Sequence, residues 1–214
     1  MKIDTNTLIA ELTGDLRPVR LLSLREGFLA AAGGTVATLT FVALGFGVRS
    51  DVLSGRPNTM FLLATGLFLM LGIAAGASVI MMSRPRVGSN HDGWIWAVAA
   101  ALVLPAAAFC AGLVDSKNAL IEAAPGLGLG CLTLGAALGL LVGVVLTLWL
   151  RRGAPTSPHR AGLLTGIAAG SLGMFAFSFH CPHSDIYHIG LWHSLAVMVS
   201  AAVGRIVVPG LIRW

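Results

Sequence analysis

The chain has 214 residues, 56% of them hydrophobic and only 11% charged, with a mean hydropathy of +0.86. So much apolar surface cannot be hidden in the single core of a water-soluble domain of this size, so the composition excludes a soluble protein and indicates an integral membrane protein. The formal net charge of +5 and the pI near 9.9 therefore report topology across a bilayer, and are not a nucleic-acid footprint.

Residues 1–26 form the soluble appendage. Ile3, Leu8, Ile9, Leu12 and Leu16 recur at mostly helical spacing, Asp4 and Asn6 stand near the start, and Gly14 interrupts toward the end. That pattern predicts a short amphipathic helix, followed by Asp15-Leu16-Arg17-Pro18-Val19-Arg20. The segment lacks the apolar core and small-residue cleavage site of a secretory signal, so the first membrane helix is expected to act as an uncleaved one. Two readings of the amphipathic helix stay open: it lies on the inner leaflet, or it docks into the groove of a cytoplasmic partner.

Residues 27–214 are expected to be an all-α, polytopic bundle of six transmembrane helices. The apolar runs are Gly27 to Gly47, Met60 to Met82, Trp94 to Val114, Leu129 to Leu150, Ala161 to His180 and Ile189 to Leu211, none with Asp or Glu in its interior. Lys2, Arg17, Arg20, Arg25, Arg84, Arg86, Arg151, Arg152, Arg160 and Arg213 fall on one side, and only Arg49, Arg56 and Lys117 on the other. The positive-inside rule then predicts that both termini are cytoplasmic. Arg205 lies in the inner part of the sixth run, within snorkelling reach of that interface. Trp94, Trp96, Trp149 and Trp214 are expected at cytoplasmic ends and Trp192 at an outer end, each keeping its N–H wet. Gly135, Gly139 and Gly143 form a close-packing stripe on the fourth helix, with Gly166 and Gly170 on the fifth and Gly72 and Gly76 on the second. These stripes predict that the fourth and fifth helices touch along their lengths. Pro105 and Pro209 are expected to kink the third and sixth.

One stretch carries chemistry. Between Phe179 and His193 lie Cys181, Asp185 and four of the six histidines: His180, His183, His188 and His193. Imidazole and thiolate suit soft or borderline metals, and thiolates are what oxidants attack first. The predicted topology puts this stretch at the outer face with Cys131, which opens the fourth helix. Both cysteines are expected at helix ends that water reaches. A disulfide, a shared metal and a pair of reactive thiols all remain open for them. Cys131, Cys181, His180, His183, Asp185, His188 and His193 are the candidate metal ligands. Cys110 reads as a small hydrophobe in a helix interface, and His91 and His159 as solvated. A metal or solute transporter is one alternative, although the helix centres lack the ionisable groups that a pathway uses. A membrane thiol oxidoreductase is another, against the absence of any Cys-x-x-Cys. Haem ligation is disfavoured because no histidine is expected deep in an apolar run.

Leu8-Ile9, Leu12, Asp15-Leu16, Pro18-Val19-Arg20, the six-helix layout, Cys131, and His180-Cys181-Pro182 with the downstream Trp192 together resemble the NrsF family of membrane-embedded anti-sigma factors, over essentially the whole chain. The resemblance implies a protein that is not an enzyme and needs no obligatory cofactor. Its cytoplasmic N-terminal segment would hold an extracytoplasmic-function sigma factor inactive at the inner membrane of a Gram-negative bacterium. Leu8, Ile9, Leu12 and Leu16 would serve as apolar anchors, with Asp15, Pro18, Val19 and Arg20 completing the contact. Cys131 and Cys181 match the family's paired cysteines, which implies sensing of a transition-metal or heavy-metal ion, or of an oxidant, from the periplasm. The implied partners are the sigma factor and membrane lipid, with no direct contact to nucleic acid.

Overall fold

The computed structural model describes residues 4–14, 22–84 and 93–212. Asp15, Leu16, Pro18, Val19 and Arg20, together with His91 and Trp214, lie outside the described residues. Among the described residues, six helical spans are long and apolar enough to cross a membrane, as the hydrophobic runs predict.

The N-terminal helix α1 (Thr5–Gly14) starts where the Asp4 carboxylate accepts the Asn6 N–H at 3.4 Å and stops at glycine. None of its residues is buried among the described residues, and Leu8, Ile9 and Leu12 are 42, 52 and 66% exposed. The first span, α2 (Leu24–Gly45), is closed by Gly47, whose φ of +84° only glycine adopts freely. A single turn, α3 (Ser50–Leu53), leads to α4 (Thr59–Met82), capped by the Asn58 side chain, which accepts the Met60 N–H at 2.7 Å. The third span divides into α5 (Gly93–Ala101) and α6 (Val103–Val114). Pro105 accounts for the break, since it has no N–H to offer the Ala101 carbonyl four residues back. The short α7 (Ser116–Glu122) is capped by Asp115 and leads to α8 (Pro125–Arg151), then α9 (Pro158–Ser178). The sixth span is composite: α10 (Ile186–His188), one π-helical turn (Ile189–His193), then α11 (Ser194–Leu211), in which Pro209 falls two residues from the end.

Around α9 the rest is arranged. Of its most apolar 18 residues 89% are buried, against 22% for α2 and 17% for the α5–α6 span. Lipid tails are as apolar as leucine, so association inside a bilayer rests on close packing rather than on transfer from water. Small residues supply that here. A Cβ at Gly139 would strike the Ala169 carbonyl of α9, and one at Gly173 would lie 2.5 Å from the Gly139 nitrogen, so the backbones of α8 and α9 touch. The fourth-helix stripe therefore meets the fifth helix as expected. The fifth-helix stripe does not return the contact: Gly166 and Gly170 face Ser200, Ala201 and Val197 on α11. Ala169 and Gly173 thus serve α8 while Gly166 and Gly170, on the adjoining face of α9, serve α11, a division that spacing along one chain does not distinguish.

Two tryptophans depart from the interfacial expectation. Trp149 is 4% exposed, packed over Gly27, and its N–H donates to Ser83 Oγ at 3.1 Å. Trp192 is 7% exposed and donates to the Glu122 carbonyl at 3.3 Å. Each indole N–H meets its requirement inside the protein, so neither ring has to reach the headgroups. Cys110 also differs from expectation, because it is exposed on the outside of α6 and not held in a helix interface. His159 is exposed, in agreement with a solvated reading.

The Arg49 N–H donates to the Phe179 carbonyl at 2.9 Å, so the C-terminal end of α2 meets the C-terminal end of α9. The 22 residues of α2 span about 33 Å. That length separates the N-terminal end of α2 from the end where the cysteine and histidine segment lies.

Candidate functional site

Four chain segments meet at that end. Cys131 sits in the second turn of α8 and not at its opening, because the helix begins at Pro125, ahead of the expected Leu129. Cys181 follows the last turn of α9, where its N–H donates to the Phe177 carbonyl at 3.1 Å. The two sulfurs are 3.7 Å apart, in contact but well beyond the roughly 2.05 Å of a disulfide. Neither is at a watery helix end as expected: Cys131 is 9% exposed and Cys181 1%. Gly128, one turn before Cys131, leaves the space that the Trp192 ring fills, which brings the π-turn down over the sulfurs.

The π-turn adds the histidines. Asp185 starts the sixth span by accepting the Tyr187 N–H at 2.7 Å, which turns His188 inward, fully buried, with Nε2 3.9 Å from Cys181 Sγ. One π-turn later His193 is 2% exposed, and neither of its ring nitrogens has a hydrogen-bond partner. Wide π-turns re-aim side chains that a regular helix would direct elsewhere. Cys131, Cys181, His188 and His193 all offer a ligand atom within 4.8 Å of one another, every one of them buried. Buried polar atoms are ordinarily paired, so this convergence is a chemical feature and not a consequence of packing. The Cys131 thiol donating to it and the nearby His188 imidazole hold the Cys181 pKa below the usual thiol range, against the opposing cost of burial. Thiolate character is what both metal binding and oxidation require. The donor set, two sulfurs and two imidazoles, is one that zinc-type ions accept in four-coordinate sites.

The remaining candidates divide. His183 stacks on His188 with ring centroids 4.6 Å apart and belongs to a second convergence, with Glu122 and His188. His180 does not join either group: its Nδ1 lies 3.3 Å from the Gly47 carbonyl and its ring packs on Phe46 and Phe177. Asp185 acts as a helix cap and also stays out. His188 and His193 are as buried as any leucine in the core.

Two residues of the site were not anticipated. Arg49 holds the loop that carries Cys181: its guanidinium donates to the Cys181 carbonyl at 2.9 Å and to Ser184 Oγ at 2.8 Å. The same group pairs with Asp51 at 2.6 Å and lies over the Phe61 ring at 4.9 Å. That guanidinium holds the Asp51 carboxyl below its ordinary range. Glu122 is the other, with its Oε2 buried and without a hydrogen-bond partner. The one available signal was scarcity, since each is a charge placed between apolar runs in a chain with few charges.

A family model described as NrsF, negative regulator of sigma F, matches residues 12–214. Among curated proteins, the probable anti-sigma-F factor NrsF of Azospira oryzae is 30% identical, over 98% of this chain and 99% of its own. The anti-sigma-F factor NrsF of Caulobacter vibrioides is 31% identical, with the same coverage of both chains. No solved structure matches. A family match running from α1 to the end of the bundle, with relatives aligned along their full length, establishes that the chain belongs to the NrsF family of negative regulators of sigma F.

Proposed function

We propose that this protein is an anti-sigma factor of the bacterial inner membrane, with both termini cytoplasmic, that sequesters an extracytoplasmic-function sigma factor and releases it when a periplasmic metal ion or oxidant acts on Cys131 and Cys181. The observation that carries the reading is the contact between those two sulfurs at the end of the bundle remote from the start of α2, to which the N-terminal segment is joined. Family membership supports sigma-factor regulation, and the excess of Lys and Arg at the α1 side supports the orientation.

The helix α1 offers Leu8, Ile9 and Leu12 as an exposed apolar edge for a helix-in-groove contact. Asp15, Leu16, Pro18, Val19 and Arg20, next in the sequence, complete the proposed contact. At the other end, a thiophilic ion draws Cys131, Cys181, His188 and His193 onto itself. A two-electron oxidant instead takes one electron from each thiol while two protons leave, and the S–S bond forms. Either event pulls the start of α8 against the end of α9, and the two helices are in backbone contact at Gly135 and Gly139. Tenfold release of a partner needs only about 1.4 kcal/mol of difference in binding between the two states.

The test is capture from solubilised membranes with the full-length protein as bait. Recovery of an RNA polymerase sigma subunit by the wild type, and its loss in Leu12→Asp, is the expected result. No sigma subunit in the wild-type eluate overturns the reading. In cells, Cys131→Ser/Cys181→Ser should remain in the membrane and hold the sigma factor while losing the response to metal and oxidant; undiminished induction would sink the sensing half alone.

A further inference from the structure

His188 uses only one of its nitrogens toward the sulfurs. While Nε2 points at Cys181, Nδ1 points the other way and lies 4.0 Å from Glu122 Oε2. His183 Nδ1 is 3.8 Å from the same oxygen, and the two rings stack at an interplanar angle of 24°, so both Nδ1 atoms converge on one carboxylate oxygen. None of these separations is a hydrogen bond. Glu122 Oε2 and His188 Nδ1 are both buried and without a hydrogen-bond partner, and the His188 ring is fully enclosed. Leaving such atoms unpaired is costly.

A proton on either imidazole does not remove that cost at about 4 Å, whereas a cation does. Zinc bonds imidazole nitrogen and carboxylate oxygen at about 2.0–2.2 Å, which puts ligand atoms roughly 3.3–3.5 Å from one another around a tetrahedral ion. Closing from the observed 3.8 and 4.0 Å takes about half an ångström for each nitrogen–oxygen pair. Glu122 is held for the purpose from behind, because its carbonyl accepts the Trp192 N–H that ties the end of α7 to the π-turn. His183 is one-third exposed, so the group opens to solvent, while both cysteines are buried behind it.

We propose that Glu122, His183 and His188 form a second cation site, separate from the cysteines, that takes a borderline divalent cation of the zinc class. Three protein ligands leave a fourth position for water, and the nitrogen and oxygen donors choose zinc, nickel(II) or copper(II) over calcium and magnesium. His188 bridges the two groups, with one ring nitrogen on each.

Tag-free protein in detergent micelles, carrying Cys131→Ser/Cys181→Ser to remove the sulfur ligands, is titrated with zinc against a chromophoric chelator. The expected result is one bound zinc per chain. Adding Glu122→Gln or His183→Gln weakens it at least tenfold, while adding His180→Gln leaves it unchanged. Helical circular dichroism and monodisperse elution establish that each variant is folded, and the partly exposed His183 provides a readout should Glu122→Gln disturb α7. Absence of zinc binding in the double serine variant overturns the proposal, as does binding indifferent to both Glu122→Gln and His183→Gln. Sigma-factor capture is read in a separate experiment, so neither failure bears on that reading.

Discussion

Adding a single methyl group at the crossing of α8 and α9 asks whether the sulfur pair depends on that crossing. A Cβ on Gly139 would lie 2.8 Å from the Ala169 carbonyl carbon, whereas carbon–carbon contact is comfortable at about 3.5–4.0 Å. The obstacle is backbone, so no rotamer change relieves it and α8 must retreat by roughly 1 Å. Overpacking of this kind costs about 1–3 kcal/mol. Cys131 is two turns, or about 12 Å, earlier on the same helix. A rigid retreat therefore carries its sulfur away from Cys181, starting from the 3.7 Å contact. Gly139→Ala should melt at lower temperature in detergent and form the Cys131–Cys181 disulfide more slowly under a mild thiol oxidant. Gly66→Ala, where a Cβ meets nothing within 4 Å, is the control that should change neither. If Gly139→Ala and wild type share one melting curve and one oxidation rate, the helix crossing does not set the sulfur geometry.

Thiol alkylation of the folded protein should label Cys110 alone, since Cys131 and Cys181 are buried; three labels without denaturant would contradict that burial. Trp192→Phe keeps an aromatic ring but loses both the N–H to Glu122 and part of the indole that fills the space over Gly128, which should lower unfolding stability by more than the about 0.5–1.5 kcal/mol of the hydrogen bond in denaturant titration. An unchanged midpoint would mean that the hydrogen bond is not formed. The depressed Asp51 pKa contributes stability that is complete above the ordinary 3.8 and lost as pH falls through the lowered value. Arg49→Met removes the main cause of the depression, so stability should change less over acid pH than in the wild type. Equal acid slopes for the two proteins would refute the assignment.

The six spans were legible because a bilayer imposes a length and an apolar composition that survive in any window of the chain. The helix of residues 5–14 was legible for the same kind of local reason, since Asp4 caps it and Gly14 ends it. What sequence could not provide was which groups face each other. Cys131 and Cys181 are 50 residues apart, and their contact follows from the α8–α9 crossing. His188 and His193 are brought to the sulfurs by a π-turn, which has no signature in residue pattern. Spacing alone treated His180 and Asp185 as equal to them, although one packs on Phe46 and the other caps a helix. Tryptophans near span ends carry a strong interfacial expectation, and it gave way at Trp149 and Trp192 because a serine and a carbonyl stood within reach. Glu122 and Arg49 escaped notice because a single charge in a short connector reads as solvated until the opposing chain is seen.

The burial of α9 has one more consequence. Membrane thickness, fatty-acid saturation and temperature act on a protein through the helices that touch lipid, chiefly α2 and the α5–α6 pair here. An axle enclosed by its neighbours feels those fluctuations only after they have averaged over several flanks. The sulfur of Cys181, just past its last turn, is thereby insulated from the most variable property of a membrane, the fluidity of its lipids. In the proposed sensing role, that insulation separates a chemical stress from an ordinary change of weather.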